Sequence, residues 1–318
     1  MLRRKMLDTL REWRAKKNNE CLLVKGARQI GKSFIIEQFG KEDFASYILV
    51  DFVKRPELKA AFQGSLEPSA IYAQLSLLIP DARFIEGDTL LFIDEIQECP
   101  QARSALKYLA IDGRFDVVAS GSLLGIQYLR DERDTVPSIP VGYERTIEMH
   151  GLDFEEFLWA RGYGEEAIAS LRGYLNALEP VPWAVHENMM HLLREYLAID
   201  GMPAVVQAFV DSDNYNGVHA EQVKLMNSYL NDIAKYASPL EPVKARACFM
   251  SLPRQLAKNG VSLRYWMNES GSREIEFLGQ CGGAVEPIEV KASRGATVSL
   301  DDMLARDDSS DLIGRAHV

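Results

Sequence analysis

The chain has 318 residues, of which 47% are hydrophobic, 26% charged and 9% aromatic. Length and balance together suit about two globular domains with self-sufficient cores, and they exclude wholesale disorder, a collagen-like repeat and a disulfide scaffold. The net charge of −10 opposes DNA binding by the surface as a whole but leaves room for a local basic patch.

The N-terminal stretch MLRRKMLDTLREWRAKK has no continuous apolar core and does not read as a signal peptide. Its Leu2, Met6, Leu10 and Trp13 recur at helical spacing, which predicts an amphipathic helix packed on the next domain. Strand-like and helix-like segments then alternate. CLLVKG (21–26) predicts a strand, SFIIEQFG (33–40) a helix and SYILVDF (46–52) a second strand. Glu67 to Ile79 reads as a helix, TLLFIDE (89–95) as a third strand and ARSALKYLAI (102–111) as a helix. FDVVASGS (115–122) predicts a fourth strand and ERTIEMHG (144–151) a weaker fifth. Apolar runs alternating with helices imply a parallel sheet covered on both faces.

After Leu152 the periodicity turns helical through about 238, with breaks at Gly and Pro. Beyond Asn259 it turns to strands, SLRYWMN, REIEFLGQ and VEPIEVKAS, and the polar ARDDSSDLIGRAHV tail is expected to fray. No apolar run is long enough to span a membrane, so none is expected as a partner. Cys21, Cys99, Cys248 and Cys281 form no CxxC pair and have no histidine at metal-ligand spacing. They read as inert thiols in a reducing cytoplasm. His150, His186, His191, His219 and His317 show no metal spacing either.

One motif carries chemistry. Gly26-Ala27-Arg28-Gln29-Ile30-Gly31-Lys32-Ser33 matches G-x-x-x-x-G-K-[ST] and stands between a predicted strand and a predicted helix. The glycines let the backbone curl so that its N–H groups face phosphates. Lys32 offsets phosphate charge, and the Ser33 hydroxyl is a ligand for Mg²⁺. The expected cofactors are ATP and Mg²⁺. LLFIDE ends in Asp94 and Glu95, acids at the carboxyl end of a strand beside that loop. Asp94 suits the metal and Glu95 suits a general base that deprotonates the attacking water. Ser120 and Ser122, at the end of the next strand, are candidates to sense the γ-phosphate or position the water. Arg130, Arg133 and Arg145 lie where an arginine finger could come from, and spacing does not choose among them.

These blocks, with SGSLLG, IPVGYERTIEMHGLDFEEFLWARG, YLAIDGMPAVVQAFV, YLNDIAKYA, SLPRQLAKN, LRYWMNESGSREIEFL and PIEVKAS, resemble bacterial and archaeal AAA-type ATPases that carry a C-terminal domain of unknown function. The resemblance implies an ASCE-type P-loop module over 1–150 with sheet order 5-1-4-3-2. It further implies a helical domain over 151–258 and a restriction-endonuclease-like part from 259 to 318. Relative to that family the chain looks shortened at Asn259-Gly260 and at its end. Glu276, then Glu289 and Lys291 as E-x-K, form a weaker constellation, since residues two apart on a strand share a face and could meet a second acid around Mg²⁺. The segments 262–268, 273–279 and 285–292 can make at most a small antiparallel sheet, expected to be the least stable part of the chain and to lack a working metal site. Such a sheet would bury Tyr265, Trp266 and Phe277 on the helices or stay loosely ordered.

The reading that follows is an ATP-binding protein that hydrolyses ATP as a switch. Its alternatives are nucleic-acid processing by the C-terminal strands, or ATP held without turnover. The partners expected are ATP and a client, either protein or nucleic acid, with oligomer formation left open.

Overall fold

A computed structural model describes residues 2–16, 19–122, 142–236, 249–251, 264–267, 274–281 and 284–288. Its contacts divide the chain into two compact units, Met1–Leu225 and Met226–Val318. In the first unit, strands β1 (Cys21–Gly26), β2 (Ser46–Asp51), β3 (Thr89–Asp94), β4 (Asp116–Ser122) and β5 (Glu144–Glu148) build one sheet in the order β2-β3-β4-β1-β5. Every pairing in it is parallel, as in the expected 5-1-4-3-2 order.

Alternation along each strand decides the layers. Leu22 and Val24 of β1, with Leu90 and Phe92 of β3, face a core shared with α1 (Lys5–Lys16) and α2 (Lys32–Asp43). Cys21, Leu23, Leu91 and Ile93 face the other way, onto α3 (Pro68–Leu78) and α4 (Pro100–Asp112). A side-chain period of two puts successive apolar residues into two cores, so buried parallel strands read as unbroken apolar runs. The predicted N-terminal helix is α1, which buries Leu10 and Trp13. β5 is an edge strand with half-exposed residues, hence its weaker pattern, and it ends at Glu148 rather than 151. A 3-10 helix, Pro56–Phe62, follows β2 and buries Leu58, Ala61 and Phe62, a short element without a full helical period to reveal it.

Among the described residues the unit also holds α5 (Phe154–Ala160), α6 (Glu165–Ala177), α7 (Trp183–Ile199) and α8 (Pro203–Ser212), and α9 (Tyr215–Tyr236) begins in it. α5 opens on a capping box, with Asp153 accepting from the Glu156 N–H and Glu156 accepting from the Asp153 N–H. Leu152, Phe157, Ile199, Val205, Val206 and Phe209 form the heart of this helical core. The chain leaves the sheet region through a close crossing of two glycine segments. Leu152 N–H donates to the Gly201 carbonyl at 2.6 Å, and a Cβ on Gly201 would lie 2.3 Å from the Leu152 oxygen.

In the second unit β6 (Arg264–Met267), β7 (Glu274–Cys281) and β8 (Ala284–Ile288) pair antiparallel in the order β6-β7-β8. Glu276 lies in β7, whereas Glu289 and Lys291 lie outside the described residues. So do the side chains of Tyr265, Trp266 and Phe277. Among the described residues no helix is long and apolar enough to cross a membrane.

Candidate functional site

Parallel pairing brings every strand's carboxyl end to one edge. Gly26 is in register with Ser122, and Asp51 with Asp94, so the phosphate-loop motif and the acids meet there. Gly26 has no room for a side chain, because a Cβ would lie 2.3 Å from the Met149 carbonyl oxygen. Gln29 (φ 63°) and Gly31 (φ 89°) take left-handed backbone and turn the loop into the start of α2.

Lys32 is 7% exposed and donates to the Gly26 carbonyl at 3.0 Å and the Ala27 carbonyl at 2.8 Å. Burial pushes its pKa below the ordinary lysine value, against the pull of Glu95 and Asp94, with Arg28 adding to the depression. Its acceptors are neutral carbonyls of the loop itself. A phosphate oxygen is a stronger acceptor, since charge-assisted bonds are roughly twice as strong, and would take the ammonium over.

Asp94 is the organising acid. Its Oδ2 accepts from the Ser33 hydroxyl at 2.7 Å, and its Oδ1 accepts from the Ser120 hydroxyl and from the Glu95 N–H at 3.0 Å. Ser120 is fully buried on β4, so its hydroxyl orients Asp94 from below. Ser122 is also buried, at the strand's last position. Glu95 stands just after β3 in left-handed backbone (φ 53°), and its Oε2 accepts from the Gln97 side-chain amide. Gln97 was not among the residues picked out from sequence. Its own Oε1 is buried and has no hydrogen-bond partner among the described residues. The D-E-x-Q spacing is the signal that could have found it. Asp51, the neighbouring strand-end acid, is engaged in its own turn, accepting from the Val53 and Lys54 N–H groups at 3.0 and 2.9 Å.

Beside the loop lies a mostly apolar cavity of about 610 Å³. Leu2 and Arg4 line it from the N-terminal arm, Gly31, Phe34 and Ile35 from the loop and α2, and Pro203, Ala204 and Gln207 from α8. An apolar wall of this kind can take a heteroaromatic ring, and α8 of the helical region forms one side of the cavity. Ser33 and Asp94 offer hard oxygens 2.7 Å apart, the donor type magnesium takes when phosphates and waters complete its shell. Among the described residues no group of three or more His, Cys, Asp or Glu side chains could hold a metal.

The sheet separates Arg145 from this site. It pairs with Leu22 near the amino ends of β5 and β1, and its guanidinium lies 3.9 Å from Glu20. Arg130 and Arg133 lie outside the described residues. Cys21 and Cys99 are free, buried thiols whose pKa values burial pushes up, leaving neither suited to nucleophilic chemistry.

Residues 18–158 match a family model described as an AAA domain. No curated protein matches the chain. Among solved structures it is similar to a Walker-type ATPase of Pyrococcus abyssi, at 14% identity over 80% of this chain and 78% of that one, with a TM-score of 0.43. It is similar also to AMPPCP-bound DnaA from Aquifex aeolicus, at 12% identity over 76% and 72%, with a TM-score of 0.39. The ORC1 protein of Aeropyrum pernix in complex with DNA is similar at 13% identity over 97% and 93%, with a TM-score of 0.35. The matched residues, 18–158, are similar to AAA domains and take in the parallel sheet and the phosphate-loop motif.

Proposed function

We propose that the protein binds ATP together with Mg²⁺, hydrolyses it, and uses the bound and spent states as a switch. The observation that carries this reading is the carboxylate of Asp94, held by Ser33, Ser120 and the Glu95 amide at the mouth of the loop. That network costs its members no reorganisation when charge arrives, which is what a preorganised phosphate site requires. Ser33 and Asp94 would hold magnesium, whose part when bound is to offset charge on the β- and γ-phosphates. Lys32 would leave the loop carbonyls for the phosphates, and the base would enter the cavity against Phe34 and Pro203. Glu95 would take the proton of the attacking water, with Gln97 steadying its carboxylate.

A second reading, ATP held without turnover, has one observation in its favour. Gln97 occupies an oxygen of Glu95, and a base so engaged is less free to accept a proton. Turnover of ATP by the purified chain, with and without magnesium, separates the two. The same assay with added nucleic acid addresses the client, for which the reading expects a cytoplasmic protein or nucleic acid. Release of phosphate that Glu95→Gln abolishes supports hydrolysis. Tight binding with no release in either protein supports the second reading.

A further inference from the structure

The N-terminal arm reaches the nucleotide site through one side chain. Arg4 is only 7% exposed, and all three of its guanidinium nitrogens are used. Nη1 donates to the Ile30 carbonyl at 3.1 Å, Nη2 to the His150 carbonyl at 2.7 Å, and Nε to Glu156 Oε2 at 3.2 Å. Those partners belong to the phosphate loop, the segment leaving β5, and the first turn of α5. Glu156 is itself 4% exposed, and it also accepts from the Lys5 N–H at 2.7 Å and the Asp153 N–H at 3.1 Å.

The bond to Ile30 has a consequence at the next atom. A trans peptide is planar, with its C=O and N–H pointing in opposite directions. Holding the Ile30 oxygen toward Arg4 therefore turns the Gly31 N–H to the opposite side. Gly31 sits in left-handed backbone at the start of α2, where glycine itself imposes little restraint. Its orientation must come from outside, and a planar guanidinium with three directed bonds is a rigid source.

We propose that Arg4 is a positioning residue of the nucleotide site. It sets the Ile30–Gly31 peptide so that its N–H serves the phosphates, and through Glu156 it ties that peptide to the helical region. This rests on the ATP reading above and adds a route by which phosphate occupancy reaches α5. An entering phosphate that draws on the Gly31 N–H pulls the same peptide that Arg4 holds, and the strain passes to the cap of α5.

The test uses ADP and the full chain. Lysine at position 4 keeps the charge opposite Glu156 but cannot make three directed bonds, so it rescues a purely structural ion pair and not a positioning role. Arg4→Lys is expected to melt cooperatively yet bind ADP at least about tenfold more weakly in calorimetry, the size of one lost charge-assisted hydrogen bond. Unchanged ADP affinity in a folded Arg4→Lys protein overturns the proposal and leaves the ATP reading standing. Failure of the unsubstituted chain to bind ADP overturns both. Hydrogen exchange on the unsubstituted chain needs no variant: ADP is expected to slow the amides of residues 153–158 as well as those of the loop. Protection confined to the loop overturns the coupling.

Discussion

The sheet and the helices of the first unit treat their apolar residues differently. Leu22, Val24, Phe92 and Ile93 are at most 1% exposed, whereas Leu175, Leu178, Trp183 and Leu197 on or beside α6 and α7 are 70% exposed or more. A sheet covered on two faces has no water-facing side, so each residue of a central strand is locked by neighbours. A helix needs only one apolar stripe and can leave large side chains outside it. Under the proposed function the difference becomes a division of labour. Asp94 and Ser120 are held in place at strand ends, and the helical region adds one wall to the neighbouring apolar cavity through α8. Rigid positioning suits groups that must act within tenths of an ångström, and a separately cored helical region suits the part that responds.

The sharpest way to break this comparison is at the strand end. Glu95→Gln is expected to keep ATP bound while slowing phosphate release by ~10²–10⁴-fold, the usual worth of a positioned base, measured by single-turnover kinetics. Lys32→Ala comes next. It leaves phosphate charge uncompensated in a buried site and is expected to weaken ATP binding by ~2–5 kcal/mol in calorimetry. Unchanged affinity would remove the loop from the nucleotide site.

Stability tests the packing contrast directly. Phe92→Ala opens a cavity between β3 and α2 and is expected to cost ~3–5 kcal/mol in urea unfolding. Leu197→Ala, at a side chain 70% exposed, is expected to stay within ~0.5 kcal/mol. Similar losses from both would mean that the two regions are equally committed. Gly201→Ala falls between them at ~1–3 kcal/mol, because its Cβ meets the Leu152 backbone oxygen at 2.3 Å.

The smallest effect is on pH. Lys32 has its pKa lowered by burial, so the free protein loses that proton at a lower pH than an exposed lysine would. Phosphates need the protonated form. ATP affinity should therefore fall as pH rises through the depressed pKa, while this group's contribution to stability rises over the same range, because the unfolded chain then holds the proton that the folded chain has lost. Titration calorimetry and urea unfolding across alkaline pH should move in opposite directions, and Lys32→Met should flatten both.

Much of the fold could be read along the chain because its signals are local. Four apolar runs, each ending in Gly, an acid or Ser, mark β1 to β4, and the G-x-x-x-x-G-K-S spacing names the loop whatever surrounds it. The start of α7 was harder to read. The helix begins at Trp183, directly after Pro182, and Trp183 is 71% exposed. Proline suits a helix's first boundary, and an apolar side chain that faces water just after it gives no periodic signal.

What the amino-acid order determined alone was therefore the five strands, the helices between them, the parallel class of the sheet and the G-x-x-x-x-G-K-S spacing of the loop. Each depends on periodicity or spacing within a few residues. Tertiary structure alone decided which groups meet across long separations. Ser120 came to hold Asp94 from 26 residues away, and Arg4 came to hold Ile30 from 26 and Glu156 from 152. No local pattern marks such pairings, because a hydroxyl or guanidinium acquires its partner only when sheet register and burial remove water as its competitor.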